Sequence, residues 1–161
     1  MPRSQADAHD IDDIDLAILA LLSDRADITN KALARRLHLA ESTCAHRVRT
    51  LRRRGLIVDT RARVDTAALG FPLRAVINVR LGSHTKAGVT QLFQALTEIP
   101  GVIEVFHVAG EDDFVLHVAA ADAHALRDLV LEHITVHPSV RSTETHLVFE
   151  RRDGVGVLAA R

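Results

Sequence analysis

Apolar residues at Ile14, Ala17, Ile18, Leu21 and Leu22 recur at helical spacing behind an acidic start at Asp12, and they predict a first helix. Thr29 is placed to cap a second, short helix that buries Leu33, Ala34 and Leu37 and stops near His38 without a proline. A third helix is expected from about Ser42 to Arg54, with Cys44, Val48 and Leu51 on one buried ridge and Gly55 as its C-terminal cap. From Leu56 to Val64 the pattern alternates enough to predict a short hairpin, or wing, carrying Arg61 and Arg63.

Beyond a linker, DTAALGFP, the periods alternate: a strand over about Leu73 to Leu81, a helix from Thr85 to Glu98, and strands over Val102 to Val108 and Asp113 to Ala119. A helix from Asp122 to Val136 and a strand from Val140 to Phe149 complete a βαββαβ order, the ferredoxin-like pattern. The fold class is therefore α+β, in five parts: a loose N-terminus (1–11), a helical domain (12–64), a linker (65–72), the βαββαβ domain (73–150) and a C-terminal tail (151–161). One alternate set of strand positions is apolar and belongs beneath the helices: Ile77, Val79, Leu81, Phe106, Val108, Phe114, Leu116, Val118, Leu147 and Phe149. The opposite set mixes Val76, Ile103, Val105, Val115 and Val148 with Asn78, Arg80, His107, His117, Glu144 and His146. Such a face is too apolar for water and too polar for a monomer core, so an isologous dimer through it is expected.

Composition adds limits. The 161 residues suit one or two small domains, and the longest apolar run, Ala17 to Leu22, is far short of a membrane span. With no apolar leader visible, the expected location is the cytoplasm, associated with the nucleoid and with no membrane partner. A single cysteine, Cys44, excludes an intrachain disulfide framework.

The net charge of −1 conceals a strong asymmetry: −5 over residues 1–30, +8 over 31–63 and −4 over 64–161. The basic excess falls on the third helix and the wing. Opposite its apolar ridge that helix presents Ser42, Thr43, His46, Arg47, Arg49, Thr50, Arg52, Arg53 and Arg54. Three helices with a short turn before the third, whose solvent face runs from hydroxyls to arginines, describe a helix-turn-helix. Ser42, Thr43 and His46 are candidates for base edges of double-stranded DNA, while Arg47, Arg49, Arg52, Arg53 and Arg61 are placed for phosphates. A solvated basic helix is the plain alternative, but five arginines between Arg47 and Arg54 repel one another unless an anion offsets them.

Here the residues carry a resemblance. The stretch DDIDLAILALLSDRADITNKALARRLHLAESTCAHRVRTLRRRGLI, followed by βαββαβ with Gly110-Glu111-Asp112-Asp113-Phe114 at its central turn, resembles the leucine-responsive and asparagine-regulator (Lrp/AsnC, feast/famine) family of transcription regulators. The distinctive pieces are the I-D-x-x-I-L-x-x-L helix from Ile14 to Leu22, the C-x-x-R-V-R-x-L helix from Cys44 to Leu51, and the G-x-x-D turn. The resemblance covers about Asp12 to Glu150. It implies a winged helix-turn-helix followed by a RAM-type ligand-sensing domain, with dimers that assemble further into octamers or related discs. It also implies an amino-acid effector bound between dimers near the G-x-x-D turn, and no other cofactor. On this sequence the effector positions are His107, Gly110, Glu111, Asp112 and Asp113 at the turn, and His146 and Leu147 on the last strand facing it. A carboxylate suits an ammonium group and turn N–H groups suit a carboxylate, which makes Asp113 the expected ammonium partner.

Some positions depart from the family pattern. His38 stands where the inter-helix turn commonly has glycine, and histidine tolerates positive φ better than most residues. Glu41 sits close to the expected DNA, and Glu111 replaces a commoner aspartate. His107 and His146, at positions more often apolar or tyrosine, favour a polar or charged effector over a large apolar one.

Three other readings compete. The histidines His107, His117 and His146, or His133 and His137 at helical i, i+4 spacing, could serve a metal-responsive regulator, although His137 is equally a favourable charge at a helix C-terminus. A purely architectural DNA-binding protein would grip any duplex with similar affinity. An enzyme is disfavoured, since there is no nucleotide-binding glycine motif, no nucleophile paired with a base, and only an exposed acidic turn to supply carboxylates.

Overall fold

The computed structural model describes residues 11–83 and 85–158. They form two compact units: one ends at Arg63 and is rejoined by the chain from Asp153 onward, and the other spans Val64–Arg152.

In the first unit, α1 (Asp13–Asp24) begins where the Asp12 carboxylate accepts the Asp15 N–H at 2.8 Å, satisfying one of the orphan donors of a first turn. Thr29 does the same for α2 (Asn30–Arg36), accepting the Ala32 N–H at 3.1 Å. The turn that follows places His38 at φ +55°, the conformation its sequence position demanded. The third helix, α3 (Glu41–Arg53), starts at Ala40 without a side-chain cap and ends at Gly55, whose φ of +72° lets the Leu56 N–H return to the Leu51 carbonyl. Ile18, Leu33, Ala34, Cys44, Val48 and Leu51 form the buried centre, with Ile14, Leu22, Leu37, Leu56 and Ile57 packed around it. The predicted hairpin over 56–64 is not formed: this stretch contains no strand. A two-stranded ribbon is marginal without a third element, and the side chains from Asp59 to Arg63, polar except for Ala62, are all exposed.

In the second unit, β1 (Leu73–Leu81), α4 (Lys86–Thr97), β2 (Val102–His107), β3 (Phe114–Ala120), α5 (Ala123–Asp128) and β4 (Val140–Leu147) follow in the predicted βαββαβ order. The sheet is antiparallel with strand order β2-β3-β1-β4. Thr85 and Asp122 cap the two helices through the Gly88 and Ala125 N–H groups. The helix expected to run unbroken to Val136 changes at Leu129–Ile134 into a π-helical turn, closed by the Thr135 N–H on the Val130 carbonyl. Gly101, at φ +91°, lets β2 start against β3; a Cβ there would meet the Ala119 carbonyl oxygen at 2.8 Å.

The predicted parity holds on the two central strands. Ile77, Val79, Leu81, Phe114, Leu116 and Val118 are buried with Leu92, Leu96, Leu126 and Ile134. On β2 it fails. A bulge between Val102 and Glu104 shifts the register, so Val105 and His107 lie on the helix side opposite Leu116 and Phe114, while Phe106 points to the open face and is 49% exposed. Apolar residues occupy both phases of that strand, so the pattern alone selected the wrong one. Leu147 keeps the helix-side register opposite Ala75 but is half exposed, and Phe149 lies past the end of β4 and is fully exposed rather than covered by a helix.

Candidate functional sites

On α3 the buried ridge of Cys44, Val48 and Leu51 fixes which side chains face outward: Glu41, Ser42, Thr43, His46, Arg49, Arg52 and Arg53 are all exposed. Hydroxyls at the N-terminal end and guanidinium groups toward the C-terminal end are thus presented on one surface. Arg61 is also exposed, in an ion pair with Asp59. Arg52 borders a groove of about 490 Å³ with Leu19, Leu22, Leu56 and Ile57.

Arg47 belongs elsewhere. Its Nη1 donates to Asp12 at 2.7 Å and to Asp15 at 2.8 Å, joining α3 to the start of α1. Asp15 is buried, and the two carboxylates raise the Arg47 pKa further above its ordinary value. The expectation that Arg47 anchors a phosphate is therefore corrected: it is a strut inside the helical unit.

At the other candidate site, three residues of the turn after β2, Glu111, Asp112 and Asp113, are tied to β1. The Asp113 N–H donates to the Val79 carbonyl, and the Asp113 carboxylate accepts the Leu81 N–H at 2.7 Å. Asp112 accepts from Arg80 Nε and from Asn78 Nδ2, each at 2.8 Å, and Glu111 pairs with Arg80 Nη1 at 2.9 Å. Asp113, expected to meet an ammonium group, instead pins the turn to the backbone of β1. Glu111, with a side chain 80% exposed, is the outermost carboxylate. Gly110 takes φ +144° with open space around it.

A polar cavity of about 290 Å³ adjoins this turn, lined by Asn78, Arg80, Asp112, Ser142, Thr143 and Glu144. Asn78 and Arg80 already stood out as polar positions on the mixed sheet face; what the sequence did not show is that β1 carries them to the acidic turn. His146 and Leu147 are not brought there within one chain. They pair with Val76 and Ala75, whereas the turn meets β1 at Val79 and Leu81, three to six residues or about 10–20 Å further along at strand spacing. His107 stacks on Phe114 with ring centroids 4.9 Å apart, on the sheet face opposite His117 and His146. The three histidines therefore do not converge, and among the described residues no group of three or more potential ligands could hold a metal ion.

Two family descriptions match this chain: "Winged helix-turn-helix DNA-binding" over residues 11–58 and "Lrp/AsnC ligand binding domain" over 74–154. It is 41% identical to the HTH-type transcriptional regulator AldR of Mycolicibacterium smegmatis over 94% of this chain and 88% of that one. The chain belongs to the Lrp/AsnC family. This Lrp/AsnC regulator also resembles the crystal structure of AldR from Mycobacterium tuberculosis, with a TM-score of 0.76 at 36% identity over 89% of this chain and 95% of that one. A Neisseria meningitidis transcriptional regulator solved with L-methionine shares the fold, with a TM-score of 0.82 at 24% identity over 89% and 92% of the two chains. The Lrp/AsnC chain is thus a DNA-binding transcriptional regulator with a ligand-binding domain, and among its described residues no helix is long and apolar enough to cross a membrane.

The open face of its sheet holds a buried titratable group. Burial, then the positive charges of Arg74 and Arg151, push the His117 pKa down, opposed by Glu104 at 3.7 Å. Because the unfolded chain takes up this proton first, the His117 contribution makes the fold less stable as pH drops below about 6.5 and levels off below the lowered folded value. Denaturant midpoints at pH 7.5 and 5.5 are expected to show that loss, and His117→Gln to flatten it; equal slopes for both proteins would contradict it.

Proposed function

We propose that this regulator binds double-stranded DNA as a dimer, with one α3 from each copy in successive major grooves about 34 Å apart. The observation that supports this reading is the exposure of Ser42, Thr43, His46, Arg49, Arg52 and Arg53 on one face of α3; in this reading the first three meet base edges and the arginines meet phosphates. Arg61 extends the basic surface along the segment after α3 once a phosphate displaces Asp59 from it. Arg49→Ala is expected to weaken binding to every duplex and to make the slope of log K against log salt shallower by about 0.9, the value for one phosphate contact. An unchanged slope, measured by fluorescence anisotropy, removes Arg49 from the interface.

The dimer is read from the open sheet face, where Val76, Phe106, Val115 and Val148 lie among Asn78, Arg80, His117, Glu144 and His146. Light scattering at micromolar concentration is expected to give twice the chain mass or a multiple such as the octamer; a monomer refutes the pairing.

The effector we infer is a free amino acid with a polar side chain. The cavity beside the turn supports it by offering carboxylates, a guanidinium, an amide and hydroxyls, with Glu111 as ammonium partner and the Gly110 turn for a carboxylate. His107 borders the turn through β2, and His146 and Leu147 would reach an effector only from another copy in the assembly. The regulator acts in the cytoplasm on the nucleoid and works by binding rather than catalysis.

A further inference from the structure

Residues after β4 read as a tail in the sequence, yet from Asp153 onward the chain belongs to the helical unit. Its first residue there is specific. The Asp153 carboxylate takes both Arg63 Nη1 and Arg63 Nη2, the latter at 2.8 Å, in a bidentate pair between positions 90 apart in sequence. A few residues on, Val157 and Leu158 line one side of the groove whose other walls are Leu19, Leu22, Leu56, Ile57 and Val58, with Arg52 of α3 at its border. The segment is thus held by charge at Asp153 and runs on to the rim of that groove, where Val157 stays largely exposed.

Arg63 is the last residue of the strongly basic stretch 31–63, and it is the residue at which the helical unit ends. A bidentate carboxylate occupies the same fork of N–H donors that a phosphate would use. The clamp also ties the two places where the chain passes between units, 63/64 and 152/153, to one another.

We propose that the C-terminal strap is an autoinhibitory contact: Asp153 masks Arg63, so the regulator meets DNA with one phosphate-binding arginine fewer until the strap is drawn away. This rests on the reading of the basic surface as phosphate-facing.

The test is the salt dependence of duplex binding by the full-length protein, followed by anisotropy. Asp153→Asn is expected to release Arg63, steepening the log K against log salt slope by about 0.9, a further loss of about 3.5-fold between about 50 and 200 mM salt. Arg63→Ala alone is expected to leave the slope unchanged, and Asp153→Asn with Arg63→Ala to return it to the parental value. Asp27→Asn, an exposed acid of the same unit paired with Arg25, controls for the general gain of positive charge and is expected to leave the slope unchanged. Since Asp153 is half exposed, the variant is expected to melt with the parent, which circular dichroism checks. An unchanged slope for Asp153→Asn, or a steepening that persists in the double variant, overturns the mask. Arg49→Ala separates the two readings: if its slope becomes shallower while Asp153→Asn does nothing, the mask fails and the basic face stands; if neither moves, both fail.

Discussion

Replacing Arg47 with alanine is expected to destabilise the helical unit by about 1–3 kcal/mol, far more than the loss of an ordinary exposed arginine, which falls within about 0.5 kcal/mol. The reason is Asp15: its carboxylate is buried at the start of α1, and without the guanidinium it is left in low dielectric with no cation. Asp12 loses the same partner while keeping its capping bond to the Asp15 N–H. Urea denaturation followed by circular dichroism reads the effect, with Arg49→Ala as the reference. Removing both charges in Arg47→Met with Asp15→Leu is expected to recover most of the loss, because the penalty comes from the stranded charge rather than from the missing pair. The Asp15 N–H, and then Arg47, hold the Asp12 pKa below the usual carboxylate value. That contribution is complete above about pH 4 and is lost as pH falls through the lowered folded value. If Arg47→Ala keeps parental stability and instead makes the salt slope shallower, Arg47 is a DNA contact after all.

Asp113→Ala is expected to abolish the effector response, a coupling typically worth about 5- to 150-fold in DNA affinity, while leaving binding without effector within about twofold. The carboxylate accepts the Leu81 N–H, so alanine removes the side-chain tie that fixes the end of the turn on β1, and the groups of Gly110 to Asp112 lose their set positions even though Asp112 and Glu111 keep their bonds to Asn78 and Arg80. Asp113→Asn keeps an acceptor in the same place without the charge and is expected to retain the response. If asparagine proves as deaf as alanine, the negative charge of Asp113 itself meets the ligand and Glu111 is not its ammonium partner.

Much of this architecture was legible in the residues because two periods, 3.6 and 2, were cleanly written. Asp12 and Thr29 announced their helices, Gly55 its stop, and His38 its positive φ. The central strands β1 and β3 each carry one unmistakable apolar phase, so their buried faces could be read directly. Edge strand β2 could not, since Val102, Ile103, Val105 and Phe106 offer two phases and a bulge decides between them. The outward face of α3 was legible for the same reason its ridge was, with one exception. Arg47 lies beside the ridge, and its partners are 32 and 35 residues away, a pairing that no local pattern contains. The acidic turn stood out as a motif, but the duties of its three carboxylates depend on Asn78, Arg80 and Leu81, which only strand pairing brings alongside. The Arg63–Asp153 clamp is hidden in the same way, spanning the whole sensing domain.

The most direct test of the account is fluorescence anisotropy of a labelled fragment from upstream of this protein's own gene, against an unrelated fragment of equal length, at two salt concentrations, with and without a pool of the twenty amino acids. An amino-acid-responsive regulator predicts tighter binding to the native fragment and a shift when the pool is added, after which splitting the pool names the effector. Equal, steeply salt-dependent binding to both fragments, unmoved by amino acids, would contradict it and mark the protein as an architectural DNA binder.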